Sequence, residues 1–126
     1  MRLLDSNIVI AAVAPEAEAL RAELSAEPCV ISIVTRIEVL GYHRLSAEEE
    51  SGLIEFLSRV ETHALDDSVA ARAVTLRQHR KMGLGDAIIA ATALVHGLVL
   101  VTRNVDDFKH VAGLELHNPF TEPGRN

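Results

Sequence analysis

Short apolar runs alternate along this chain with longer stretches in which apolar residues recur every three or four positions. Arg2 to Leu4 reads as a short opening strand. Asp5-Ser6-Asn7 ends it with side chains that favour a helix start. A helix from Ile8 breaks at Pro15 and resumes over Glu16 to Ala26, where Ala17, Leu20 and Leu24 fall near helical spacing. Pro28-Cys29-Val30-Ile31 has the pattern of a buried strand, and a helix follows from about Ile33 to His43. Ser46-Ala47-Glu48-Glu49 has the spacing of a capping box, opening a helix that turns Leu53, Ile54 and Leu57 inward. Glu48 to Glu50 then occupy a helix first turn, where the dipole favours acids, and need no further role.

Val60 to Leu65 is a weaker strand pattern. Asp66-Asp67-Ser68 caps a helix running to about Lys81, which Gly83 stops. After Gly85-Asp86 an Ala-rich helix continues to His96, and Gly97 ends it. Leu98 to Val101 is apolar and β-branched, the clearest strand. Asp106 to Val111 forms a helical turn, and Leu114 to His117 a last strand before Pro119. No repeat, linker or low-complexity stretch interrupts the alternation. It predicts one α/β domain over residues 1–126, a sandwich with a mostly parallel central sheet. Active groups in such sheets lie at the carboxyl ends of the strands, near the switch in strand order.

Composition narrows the function. With 48% apolar residues in 126, the chain can build a core burying roughly two thirds of its extended surface. Aromatics make up 3% with no Trp, which argues against single-strand binders that stack bases on aromatic platforms. The formal charge of −6 excludes nucleic-acid binding by bulk charge, so any RNA would have to be met by local arginines and bound cations. None of the six His stands in a His-x-His or His-Glu-x-x-His spacing, so a soft-metal site is not expected. Cys29 is alone, which rules out an intrachain disulfide, fits a reducing cytoplasm and reads as a small buried apolar residue. The apolar run Ala87 to Val95 is too short to span a bilayer. Arg2 before Ile8 to Ala14 falls short of a signal peptide, because Asp5 and Asn7 interrupt it.

Four acids fall where such a fold gathers its chemistry. Asp5 follows the first strand, Glu38 lies early in the helix after the second, Asp86 opens the helix before the fourth, and Asp107 follows the fourth beside Asp106. Each has a structural alternative. Asp5 or Ser6 caps a helix, Thr35 to Glu38 matches a capping box, Asp86 after a glycine suits an N-cap, and Asp107 suits a short helix start. Together they say more. Right-handed crossovers return every strand in one direction, so these helix starts point at one edge. Dipoles keep the acids ionised, and a divalent cation relieves their repulsion. Hard oxygen ligands with water left in the shell describe magnesium or manganese, which can activate water against a phosphodiester.

Leu3-Leu4-Asp5-Ser6-Asn7, Ser32 through Glu38, Gly85-Asp86-Ala87-Ile88-Ile89-Ala90, and Val101-Thr102-Arg103-Asn104 through Phe108 resemble the PIN-domain family, in its order and spacing. More closely they are similar to the VapC toxins of bacterial and archaeal toxin–antitoxin pairs, from Arg2 to about Phe120. The resemblance implies a parallel sheet ordered 3-2-1-4-5 and a metal-dependent ribonuclease with Asp5, Glu38 and Asp86 as core ligands, close enough to share a cation. Thr102 and Asn104 would line a fourth position and orient water. Many relatives carry Asp where this chain has Asn104, and Asp107, directly before Phe108, takes the fourth anionic place. Ser6 is a candidate to hydrogen-bond a ligand carboxylate, with the cap as its alternative. The basic run Arg77, His79, Arg80 and Lys81 offers RNA-phosphate contacts or a solvated helix end. The implied partners are a VapB-like antitoxin covering the acidic cleft, and a second copy in a homodimer.

Two enzyme or signalling alternatives need residues this chain lacks. A haloacid-dehalogenase-like phosphatase needs Asp where Asn7 stands, and a phospho-acceptor receiver domain needs a Lys ending the last strand. A catalytically weak PIN-like scaffold is the remaining alternative.

Overall fold

The computed structural model describes residues 1–120; residues 121–126, included in the single-domain expectation, lie outside them. Five strands are laid down in chain order: β1 (Arg2–Leu4), β2 (Cys29–Ser32), β3 (Glu61–His63), β4 (Val99–Val101) and β5 (Leu116–His117). Seven helices join them: α1 (Ser6–Ala12), α2 (Glu18–Leu24), α3 (Ile33–Leu40), α4 (Ala47–Leu57), α5 (Asp67–His79), α6 (Leu84–His96) and α7 (Val105–Phe108). All four strand pairings are parallel and the order is β3-β2-β1-β4-β5, so the opening strand sits in the middle with the strand order reversing beside it.

The register explains the three layers. Leu3 pairs with Val30 and Leu100, and all three side chains enter the core on the side of α5, α6 and Phe108. The next residues along, Leu4, Ile31 and Val101, enter a second core on the other face with Ile8, Val39, Leu53 and Leu57 from α1, α3 and α4. Both faces of these short strands are covered, which is why they read as unbroken apolar runs rather than alternating ones. A slip of one residue in β1 would exchange the two sets.

α6 is buried on nearly every side from Ala87 to Ala93, and Thr92 satisfies its hydroxyl on the Ile88 carbonyl at 2.7 Å. Its small side chains let it lie close to the sheet. Gly97 ends it at φ +65°, the left-handed cap expected there. The capping box closes as predicted: Ser46 Oγ accepts from the Glu49 N–H and Glu49 reaches back to the Ser46 N–H.

Several expectations are corrected. α3 stops at Leu40 rather than His43, α5 at His79 rather than Lys81, and the last strand covers only Leu116–His117. The turn expected at Asp106 to Val111 is helix only over Val105–Phe108. Thr35 starts no capping box, because Ser32 caps α3 by accepting from the Val34 N–H and leaves Thr35 fully buried one turn in. Cys29 is half-buried rather than buried. Its thiol donates toward the Leu24 and Glu27 carbonyls, and burial pushes its pKa up, away from reactivity.

Candidate active site

The carboxyl ends of β1, β2 and β4 and the N-terminus of α6 meet at one edge, and the acids of the sequence reading collect there. Asp5 leaves β1 in extended backbone and caps α1, its Oδ1 accepting from the Ser6 N–H at 2.8 Å. It is also 5% exposed, far more buried than a helix cap requires. Its second oxygen, Oδ2, accepts from the fully buried Thr102 hydroxyl at 2.7 Å and from Asn7 Nδ2 at 3.2 Å. Asp5 is thus a cap and a buried carboxylate at once. Its two roles are divided between its two oxygens.

Glu38 extends from α3, and its Oε1 accepts from Ser6 Oγ at 2.5 Å. Ser6 therefore does not cap with its side chain; it orients Glu38. Glu38 Oε2 lies against α6, where a Cβ added to Gly85 would stand 3.2 Å from it. That glycine lets the helix carrying Asp86 approach Glu38. Asp86 itself is no N-cap: Gly83 holds that place without a side-chain bond, and Asp86 is the third residue of α6.

Asp86 reports the shared field. Desolvation first, then the charges of Asp5, Asp107 and Glu38, push its carboxyl above the ordinary value of 3.8. Acids from three other segments thus act on Asp86 here. Asp107 belongs to this field, whereas Asp106 is paired with Lys109 at 3.1 Å in the open. The loop between β4 and α7 is held by Thr102, whose hydroxyl accepts from the Asn104 N–H at 3.0 Å. Asn104 precedes α7 and its side chain makes no capping bond.

Asp5, Glu38 and Asp86 share an edge and a field, and among the described residues no group of three or more His, Cys, Asp or Glu is already drawn together as a metal would draw it. Asp5 is bonded to Thr102 and Asn7, and Glu38 to Ser6. The donor chemistry nonetheless fits a hard divalent cation. All four acids offer carboxylate oxygen, and among the described residues none of them forms an ion pair that would neutralise it.

The basic run divides. Arg77 turns its Nε to the Met82 carbonyl at 3.2 Å and braces the loop leading into α6, while Arg80 and Lys81 stay exposed shortly before Asp86. Sequence reasoning missed Asn7 and Gly85 as parts of this edge. Asn7 stands two residues after Asp5 and bonds to it locally, while its bond from the Arg103 N–H at 3.2 Å depends on β4 arriving beside β1. Gly85 immediately before an acid carried a signal, a helix start without a Cβ, but not the identity of the neighbour.

The chain matches the PIN domain family over residues 2–114. It is 33% identical over 132 residues to a protein of Mycobacterium tuberculosis named ribonuclease VapC10, covering 98% of this chain and 96% of that one. In fold it superposes on a toxin–antitoxin complex from Klebsiella pneumoniae with a TM-score of 0.77 and 35% identity, covering 95% of this chain and 98% of that chain. It also superposes on VapBC2 of Rickettsia felis bound to a promoter DNA fragment, with a TM-score of 0.81 and 26% identity, covering 93% and 97%.

Proposed function

The chain belongs to the PIN-domain family, and on that premise we propose that it is a metal-dependent endoribonuclease, the VapC-like toxin of a toxin–antitoxin pair. One observation carries the catalytic part: Asp86 lies in the joint negative field of Asp5, Asp107 and Glu38 at the carboxyl edge of the sheet. A cluster of unneutralised acids on an acidic protein does not receive a phosphodiester unless a cation joins them. Asp5, Glu38, Asp86 and Asp107 would hold magnesium or manganese, with Thr102 and Asn104 orienting water beside them. Such an ion supplies water activation and stabilisation of the leaving oxygen.

The chain's own groups prepare that site. Thr102 and Asn7 donate to the same oxygen of Asp5 and fix its orientation, and Ser6 does so for Glu38. Arg80 and Lys81, exposed and shortly before Asp86 in the chain, would supply contacts to RNA phosphates. The regulatory partner is a VapB-like antitoxin that covers the edge and inserts an Arg or Lys among the carboxylates. Ile37 and Leu84, 64% and 60% exposed beside Glu38 and Asp86, offer apolar surface to a second copy in a homodimer. Among the described residues no helix is long and apolar enough to cross a membrane, and a cytoplasmic site of action belongs to this reading.

The test is cleavage of short single-stranded RNA by the purified chain in magnesium or manganese, with and without chelator. Asp5→Asn retains a helix-capping oxygen and removes the charge. Activity that needs the ion, and that falls by orders of magnitude in folded Asp5→Asn, is the expected result. Normal cleavage by that variant would overturn the site. The neutral Asn104 favours a second reading, a PIN-like scaffold. A folded chain that neither binds Mn²⁺ nor cuts RNA would establish it.

A further inference from the structure

Beside the acidic edge, on the β5 side, lies a cavity of about 520 Å³ between α2 and the segment after β5. Its walls include Leu20, Pro119 and Phe120, together with Arg103, Glu16 and Glu23. The Arg103 guanidinium lies over the Phe120 ring, 4.2 Å from its centroid. Phe120 is 43% exposed, so part of a large apolar ring is left without cover. We infer that this cavity is a nucleotide subsite: it receives the RNA residue adjoining the scissile phosphate, with the base against Phe120 and the flanking phosphate on Arg103. The inference rests on the ribonuclease reading above and adds to it a contact with a base.

Two observations choose RNA as the occupant. The first is continuity with the site. The Arg103 N–H donates to Asn7 Oδ1, and Asn7 Nδ2 donates to Asp5 Oδ2, so Arg103 is one side chain removed from the buried carboxylate. Thr102 before it and Asn104 after it belong to the same edge, and the Thr102 N–H donates to the His117 carbonyl, which fixes the start of the segment reaching Phe120. The second is chemistry. The composition argues against an extended aromatic platform, but one guanidinium beside one ring still presents two contacts to a single nucleotide, a phosphate donor and a stacking surface. The acids in the wall do not oppose this. Glu23 is engaged by His117 at 2.6 Å, and exposed Glu16 suits the amino groups of a base rather than a phosphate. Phe120 and Pro119 also lie beyond residues 2–114, so this wall lies outside the part of the chain that the family profile covers.

The experiment is a kinetic cycle on the full chain with short fluorogenic RNAs in Mn²⁺, each carrying an abasic residue at one position in turn. Phe120→Ala should raise KM, lowering kcat/KM by roughly ten- to a hundredfold, the size of one lost base stack. Phe120→Tyr, which keeps the ring, should restore it. An abasic residue at one position beside the cut should cost wild type about the same factor and cost Phe120→Ala nothing more. Melting curves confirm folding of each variant. Equal losses for every abasic RNA in both proteins, or unchanged kinetics in Phe120→Ala, overturn the subsite. So does a variant that loses hold of the co-expressed antitoxin while its RNA kinetics stay normal, which would give the cavity to protein. A wild-type chain that cuts no RNA refutes the ribonuclease reading itself, and the subsite falls with it.

Discussion

Thr102→Val isolates the group that orients the most buried carboxylate of the edge. Val matches Thr in shape, and the site is fully closed to solvent, so the substitution removes two hydrogen bonds without opening space. The first is the 2.7 Å donation to Asp5 Oδ2, a bond to a charged acceptor worth about 1.5–3 kcal/mol. The second is acceptance from the Asn104 N–H at 3.0 Å, partly buried and so partly recoverable by water. Burial of an added methyl offsets about 0.8 kcal/mol. The net cost should be about 2 kcal/mol, a fall in melting temperature of roughly 6–10 °C for a domain of this size. Asp5 keeps its bonds to the Ser6 N–H and to Asn7, so the fold survives. Mn²⁺ affinity, read by calorimetric titration, should fall by about ten- to a hundredfold, as for other groups that orient a metal ligand. Thr102→Ser is the control. It loses a buried methyl and about 1 kcal/mol, but keeps the hydroxyl and with it the affinity. The reasoning fails if Thr102→Val melts within about 2 °C of wild type, or if Ser and Val weaken Mn²⁺ binding equally.

Asp86→Asn should raise the metal-free melting temperature at pH 7 while abolishing metal-dependent cleavage. The folded chain disfavours the Asp86 charge, so wild type bears a penalty that appears as pH rises above the ordinary value of 3.8, and the two melting curves should converge below it. Gly85→Ala gains helix propensity of about 1 kcal/mol, but its methyl stands 3.2 Å from Glu38 Oε2; activity should fall about tenfold with stability near wild type, and unchanged activity would remove Gly85 from the site. Arg80→Gln with Lys81→Gln should flatten the salt dependence of RNA binding by about 0.7 for each phosphate that is no longer neutralised. Arg77→Leu should instead cost about 1 kcal/mol of stability through the Met82 carbonyl and leave the salt slope alone. The reverse pattern would exchange their roles.

Most of the architecture was legible because each local pattern had one cheap reading. Three residues in β1 and three in β4 are enough to identify strands when both faces are buried, and Gly97 or the Ser46 capping box marks its boundary through chemistry confined to a few neighbours. The strand order required the family resemblance, since alternation alone permits several orders for five parallel strands. Misplaced boundaries follow the same rule. Thr35 and Glu38 had the spacing of a capping box, but β2 ran one residue further than expected and delivered Ser32 to cap the helix first. Glu38 was thereby released from local bonding and became available to Ser6, thirty-two positions earlier in the chain.

Local and functional readings of these acids were therefore never simple rivals. Asp5 caps α1 with Oδ1 on the Ser6 N–H while its Oδ2 is held by Thr102, ninety-seven residues away. Capping residues and metal-binding acids favour the same location, because a helix start at the end of a parallel strand supplies both free N–H groups and a shared edge. The proposed function draws on features that a cap does not require. Here those are the 5% exposure of Asp5, the glycine that brings α6 against Glu38, and the raised carboxyl of Asp86. Each arises between segments distant in sequence. That is why the sequence could nominate these residues but only their assembly in the fold distinguishes an acidic edge from four ordinary helix starts.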